Sequence, residues 1–311
     1  MHAIFIVLAA LLLLILAVGA YTFFAACRRK KERKWLDPEA LKGSSVEKHY
    51  PYILHAHNWL CSHKVEDIHV QSKDGLRLYA RWIPAENPKG TILLAHGYNS
   101  TPYIDFSLVL DVYHNLRMNM LIPDQRGHAR SEGNYITFGV KEWQDMACWV
   151  EYHNTHFGDC PMILSGLSMG ASTVLYMANE NLPENIKGII ADCGFTSPYD
   201  IIGKVFRSVA HLPSWPFLWV TDLCARLFAG FSLKEKDTRK TLQAGKYPVI
   251  LAHGRADDFV PCEMSQEAFN ACTSPKELLL VENAGHGYSF LKDQERYTQT
   301  VTAFLQRTLE E

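Results

Sequence analysis

The chain has 311 residues, 48% of them hydrophobic and 21% charged. That is ample material for a packed core and unlike the composition of a disordered chain. The 31 basic and 33 acidic side chains leave a formal charge of -2, without the basic surplus on which nucleic-acid binders depend. The eight cysteines include no C-x-x-C pair, so neither a zinc ribbon nor a thioredoxin-like motif is indicated; they read as ordinary thiols of a reducing compartment.

From Ala3 to Ala26 no charged residue occurs. At 1.5 Å per residue this stretch would span roughly 36 Å as a helix, enough to cross a hydrocarbon core about 30 Å thick. Arg28, Arg29, Lys30, Lys31, Arg33 and Lys34 follow at once, while no Lys or Arg precedes it. The positive-inside rule places that basic side, and the rest of the chain, in the cytoplasm. Tyr21 and Trp35 are expected at the inner interface. A cleaved signal peptide would need a basic start and a shorter apolar core. Residues 1–34 are therefore read as a single-pass anchor with its basic flank, and 35–65 as a membrane-proximal linker. His55, His57, Cys61 and His63 in that linker invite a zinc site, but their spacings are not those of common structural sites.

From residue 66 the pattern changes. Ile68–Gln71 and Leu76–Ile83 alternate around Lys73-Asp74-Gly75, a hairpin signal. Apolar runs then recur at Thr91–Ala95, Asn119–Pro123, Met162–Ser165, Gly188–Ala191, Pro248–Ala252 and Glu277–Val281. Helical patterns separate them near 103–116, 140–156, 169–180, 262–272 and 292–308. Strands apolar throughout and separated by helices predict a mostly parallel sheet covered on both faces, with the antiparallel hairpin at its edge. Residues 198–246 are too long for a connection and are rich in aromatics, which predicts a helical cap inserted into the 66–311 body.

Gly166-Leu167-Ser168-Met169-Gly170 lies between an apolar run and a helical pattern. A serine on a tight strand-to-helix turn is exposed and strained, and the flanking glycines remove Cβ atoms that would clash. Its partners follow in the order Ser, acid, His. Asp257 and Asp258 come after the 248–252 strand, and His286 after the 277–281 strand. A serine hydroxyl needs an imidazole to accept its proton, and the imidazole needs a carboxylate to fix its tautomer. Asp257 is favoured by its spacing from the strand, with Asp258 and Asp192 as the other acids in reach of a strand end. His96 and His253, each before a glycine at a strand end, are expected to shape turns. The backbone N–H groups of Tyr98 and Met169 are the expected donors to a developing oxyanion.

With these residues in view, the chain resembles the α/β-hydrolase superfamily, and more narrowly its bacterial serine aminopeptidase-like or lysophospholipase-like branch. The resemblance covers about residues 66–308. It rests on His96-Gly97, on Asp124-Gln125-Arg126-Gly127-His128-Ala129-Arg130-Ser131-Glu132-Gly133, on the Gly-x-Ser-x-Gly turn, and on Asp257 and His286. It implies an α/β-hydrolase fold and hydrolysis of an ester, thioester, amide or peptide without metal or organic cofactor. It also implies that Asp124, Arg126 and His128 form a structural turn. Family members usually carry a second glycine where Ala129 stands, a departure expected to alter only loop geometry.

The expected activity is cleavage of a carboxylic ester through an acyl-enzyme. Aromatic residues of the cap would either face an apolar acyl group or anchor the cap, and the membrane segment tilts the substrate toward lipid-like esters. A peptidase would want a charge for a free amine, and none stands out. The competing class is a membrane-tethered, non-catalytic binding protein of the same fold, which typically lacks a member of the triad.

Overall fold

The computed structural model describes residues 1–31, 34–43 and 47–310; of the basic flank, Arg33 lies outside the described residues. Eight strands run β1 (Glu66–Gln71), β2 (Arg77–Ile83), β3 (Gly90–Ala95), β4 (Met118–Asp124), β5 (Met162–Leu167), β6 (Ile186–Asp192), β7 (Val249–Gly254) and β8 (Lys276–Val281). They form one sheet in the order β1-β2-β4-β3-β5-β6-β7-β8. β2 is antiparallel to both β1 and β4, and every pairing from β4 to β8 is parallel. This is the α/β-hydrolase architecture expected from the sequence.

The helices are α1 (His2–Cys27), α2 (Pro38–Leu41), α3 (Tyr50–Ser62), α4 (Pro102–Asp105), α5 (Val109–Asn115), α6 (Glu142–Phe157), α7 (Met169–Leu175), α8 (Pro198–Ala210), α9 (Phe217–Cys224), α10 (Thr238–Gln243), α11 (Cys262–Ala271), α12 (Ser289–Lys292) and α13 (Gln294–Glu310). Because successive strand residues point to opposite faces, the central strands feed two cores. Leu93 and Leu164 join Trp149 of α6, Val174 of α7 and Ala268 of α11 on one face. Ile92 and Ile163 join Ala56 of α3, Leu110 of α5 and Phe304 of α13 on the other. Both faces being covered is why these strands carry no polar alternation.

A third apolar cluster lies outside the sheet. α8 to α10 occupy the stretch between β6 and β7, and α8 and α9 meet the end of α1 there: Phe23 and Cys27 pack with Ile136, Phe138, Ile201, Leu218, Val220 and Cys224. α1 is long and apolar enough to cross a membrane. Its residues Gly19, Phe23 and Cys27, four apart and so on one face, are its buried ones. The linker's Trp35, Leu41 and Ile53 do not trail away from the body. They form a small cluster of their own with Tyr103 and Ile104 against it. Trp35 is thus buried in the body rather than placed at a membrane interface, whereas Tyr21 is exposed.

The Asp124–Gly133 turn is structural, as the resemblance implied. Arg126 donates from Nε and Nη2 to Asp145, both at 2.6 Å, and from Nη1 and Nη2 to Asp74 at 2.9 and 3.0 Å. Ala129 sits at φ +38°, in the left-handed region where glycine is unstrained. Arg29 steadies this loop by donating to the carbonyls of Ala129 and Ser131 at 2.6 and 2.8 Å. Arg126→Met would leave the buried Asp145 carboxylate uncompensated, at a cost of about 3–5 kcal/mol. The expected result is a lower thermal midpoint for the full chain in detergent, only partly recovered by Arg126→Lys, which lacks the planar fork.

Candidate active site

Ser168 stands between β5 and α7 at φ +56°, ψ -116°. The flanking sequence leaves no alternative. A Cβ on Gly170 would lie 1.8 Å from the Ala95 carbonyl oxygen, and one on Gly166 would lie 2.2 Å from the Gly170 carbonyl oxygen. Only with both positions bare can α7 close onto β3 and β5. The serine is not exposed as its turn predicts but buried, at 5% exposure, and it borders a cavity of about 920 Å³.

Three predicted side chains converge there. His286 Nε2 lies 2.9 Å from Ser168 Oγ, and its Nδ1 lies 2.7 Å from Asp257 Oδ2. With Nδ1–H donating to the carboxylate, Nε2 is free to accept the serine proton. Asp257 Oδ1 accepts the N–H groups of Phe259 and Val260 at 3.0 and 2.8 Å. Burial pushes this carboxyl up, but hydrogen bonds from His253 and His286, with the Val260 N–H, outweigh it and hold Asp257 well below the usual carboxylate range.

The alternative acids are placed elsewhere. Asp192 accepts from Ser289 Oγ at 2.8 Å and is buried behind the serine; burial raises its carboxyl. Asp258 is exposed at the cavity rim and its backbone carbonyl meets Lys204 Nζ.

His253 does more than shape a turn. Its Nε2 lies 3.1 Å from Asp257 Oδ2 and 2.9 Å from the Val260 carbonyl, two acceptors that require a proton on that nitrogen; Nδ1 then accepts from Ser265 at 2.7 Å. Asp257 is therefore held by two imidazoles. The sequence signal was only the His253-Gly254 pair at a strand end. His96 and His128 brace the facing loop. His96 Nε2 accepts the Gln125 N–H at 3.0 Å, and His128 Nε2 accepts the Asn99 N–H at 3.0 Å. Burial pulls them down to about 4 and about 3, so both are neutral at pH 7.

Among the described residues, the N–H groups of Tyr98 and Met169 have no acceptor, whereas that of Gly97 is bound by Asp105 Oδ2 at 2.5 Å. Burial pushes the Asp105 carboxyl up to about 6, against the pull of the Ser100 hydroxyl and the Gly97 N–H. Tyr98 extends away from the serine, stacks on Phe138 with ring centroids 5.2 Å apart, and donates from its hydroxyl to the Ala26 carbonyl at 2.7 Å.

The cavity is not roofed by the cap. Its apolar wall comes from Trp35, Tyr52, Ile53, Phe259, Tyr288 and Phe290. Of the cap aromatics, Phe206 and Phe217 pack on each other, Phe228 lies against Phe23 and Phe24, and none borders the cavity among the described residues.

The linker histidines do not gather into a metal site. His55 bonds Asp111 at 2.7 Å, His63 stacks on Trp59, and only His57 and Cys61 meet, at 3.6 Å. The one cluster of metal-ligand type among the described residues is Cys193 with Asp257 and His286. Burial and the neighbouring carboxylates of Asp192 and Asp257 push that thiol well up, so it is held as a neutral thiol and not as the thiolate a metal would need.

The family model described as serine aminopeptidase, S33 matches residues 86–221. An uncharacterized protein of Bacillus subtilis (strain 168), YqkD, is 29% identical over 228 residues, 71% of this chain and 72% of its own. An uncharacterized membrane protein of Saccharomyces cerevisiae, YNL320W, is 24% identical over 233 residues, 73% and 75% of the two chains. Among solved structures, the Pyrococcus furiosus esterase Pf2001 superposes with a TM-score of 0.64 at 24% identity, covering 80% of this chain and 94% of that one. Est1E from Butyrivibrio proteoclasticus, with ferulic acid bound, gives 0.61 at 18% identity, covering 78% and 100%.

The depressed Asp257 carboxyl has a consequence for stability. A group ionised more readily in the folded than in the unfolded state contributes stability above its unfolded value of about 3.9, and that contribution is lost as pH falls toward the folded value. The midpoint difference between the full chain and Asp257→Asn should hold steady from neutral pH to about pH 4 and narrow below it. Thermal scans across that range read it directly.

Proposed function

We propose that this member of the α/β-hydrolase superfamily is a serine esterase acting on esters with an apolar acyl group. The observation that carries the reading is the unbroken hydrogen-bond chain Asp257–His286–Ser168, with His286 at 2.7 and 2.9 Å from its partners. In the mechanism, His286 Nε2 takes the Ser168 proton as Oγ attacks the ester carbonyl. Asp257, itself held by His253, keeps the imidazole in the required tautomer and balances its charge. The N–H groups of Tyr98 and Met169 receive the oxyanion. The imidazolium then protonates the leaving alcohol, and water repeats the cycle to release the acid and regenerate Ser168.

The aromatic cavity wall supports an apolar acyl chain, and its volume falls in the range of small-molecule sites. The likeness to the Pyrococcus furiosus esterase Pf2001 points the same way. All three triad positions are filled and mutually bonded, which speaks against a non-catalytic tethered protein. In the chain's organisation, residues 1–34 are the single-pass anchor, 35–65 a membrane-proximal linker whose Trp35, Tyr52 and Ile53 line the cavity, and 66–311 the catalytic body with its insertion at about 198–246. The lysines and arginines after α1 put that body on the cytoplasmic side.

Ser168→Ala in the full chain should lower kcat for p-nitrophenyl butyrate on the order of 10⁶-fold, as loss of a triad nucleophile does. It should also abolish labelling by a fluorophosphonate probe. Retained labelling or turnover would place the reactive group elsewhere.

A further inference from the structure

α1 is docked along a second helix at a depth that a spanning helix would bury. A Cβ on Gly19 would lie 2.5 Å from Val220 Cβ and 2.8 Å from the Phe217 carbonyl oxygen. Thr221 Oγ1 donates to the Gly19 carbonyl at 3.0 Å. Nearer the basic end, Phe228 lies against Phe23 and Phe24 at 5.9 and 5.4 Å. α9 therefore runs alongside α1, and its start, with the loop 211–216 before it, is the part farthest from the basic flank. Phe206 on Phe217, centroids 5.1 Å apart, brings the end of α8 to the same level.

The depth follows from helix length. The 26 residues of α1 extend about 39 Å, and Gly19 lies about 12 Å before the end of the helix. A hydrocarbon layer of about 30 Å leaves about 9 Å spare. Wherever that spare length falls, Gly19 lies between about 3 and 12 Å inside the hydrocarbon, and α8–α9 goes there with it.

The surface of that hairpin suits the position. Trp215, Trp219, Leu223 and Leu227, four residues apart, are 72%, 63%, 40% and 71% exposed, and Val209 and Leu212 are 77% and 50% exposed. The opposite face of α9, Leu218, Val220 and Cys224, is buried against α1 and α8. The apolar stripe thus continues the exposed apolar surface of α1 itself, from Ile4 through Leu16. Arg226, paired with Asp222 at 2.9 Å, and Arg207, bonded to Ser214 at 3.0 Å, are long enough to reach phosphates from beside the stripe. They set a limit on depth: the interfacial zone and upper acyl chains rather than the bilayer centre.

We propose that the α8–α9 hairpin is a membrane-inserting element, its Trp215–Trp219–Leu223–Leu227 stripe seated in the lipid of the leaflet that α1 enters from its basic end. The body is then held against the bilayer at two points, α1 and the hairpin, and not suspended from one. This rests on the reading of α1 as membrane-spanning and not on the esterase reading.

The test uses the full chain in phosphatidylcholine vesicles, with and without lipid brominated near the top of the acyl chain. Bromolipid should quench part of the tryptophan emission, and the double variant Trp215→Phe, Trp219→Phe should lose most of that quenchable part while staying membrane-bound. Alkaline carbonate extraction of the same vesicles reads α1 separately. A chain that resists extraction, yet whose Trp215 and Trp219 emission is untouched by bromolipid and quenched by aqueous iodide, overturns the hairpin and leaves the anchor standing. A chain released by carbonate overturns both. Shielding from both quenchers, with cross-linked dimers formed in the vesicles, would assign the stripe to a second copy and likewise overturn the proposal.

Discussion

A close backbone approach at two glycines decides the rest of the molecule's centre. The backbone of Gly170 is pressed against the Ala95 carbonyl, and that of Gly166 against Gly170 itself. Drawing the start of α7 so near to β3 and β5 forces the residue between them to φ +56°. Such a backbone costs on the order of 1–3 kcal/mol and persists only where its surroundings over-determine it. They do so here: Ala171 and Val174 of α7 are buried in one core, and Met169 in the cluster that α1 and the cap share. The strain thus has two effects at once. It lifts the Ser168 hydroxyl to the imidazole, and it leaves the Met169 N–H at a helix start with no acceptor among the described residues.

Much of this was legible because it is local or periodic. Six strands were read from apolar runs, since a doubly covered sheet has no polar face to blur them, and the two of the hairpin from their alternation. The serine, its histidine and its acid were read from their places at strand ends. Boundaries failed where a tertiary bond competed with helix continuation. The pattern near 103–116 predicts one helix, but the structure breaks it into α4 and α5. Asp105, at the break, is recruited by the Gly97 N–H and the Ser100 hydroxyl. The helix predicted over 169–180 ends at Leu175, and Met177 and Ala178 continue in tighter i−3 turns.

What the sequence did not reveal are pairings of segments far apart in the chain. Which side of α9 faces protein depends on α1, some two hundred residues earlier, and no periodicity within α9 encodes that. The cap aromatics were assigned by composition to either substrate or anchoring, and their docking on α1 and on each other removes them from the cavity. Likewise Trp35, Tyr52 and Ile53, from a segment polar enough to pass for a tether, supply part of the cavity wall. His253 escaped for a related reason: its hydrogen bond to Asp257 depends on a loop returning through Val260, a closure that spacing alone does not specify.

These long-range pairings make the apolar N-terminal helix part of the α/β-hydrolase body. The Ile136 N–H bonds the Cys27 carbonyl at 2.7 Å, and the Arg29 N–H bonds the Asn134 carbonyl at 2.9 Å, so the chain leaving α1 forms an antiparallel bridge, Arg28 to Tyr135, against the body. Between that seam and the serine stands Tyr98. Its hydroxyl is bonded to Ala26 and its ring to Phe138, while its backbone N–H belongs to the loop facing Ser168. Burial, with Cys27 beside it, pushes the phenol up to about 12, so it stays a hydrogen-bond donor throughout the working range. Removing α1 would uncover Phe138 and Val140, free the Tyr98 side chain and loosen the loop that carries its N–H. Loss of activity on truncation of α1 would therefore not single out Ser168, because Ala26 of α1 and the loop facing that serine are joined through the Tyr98 hydroxyl.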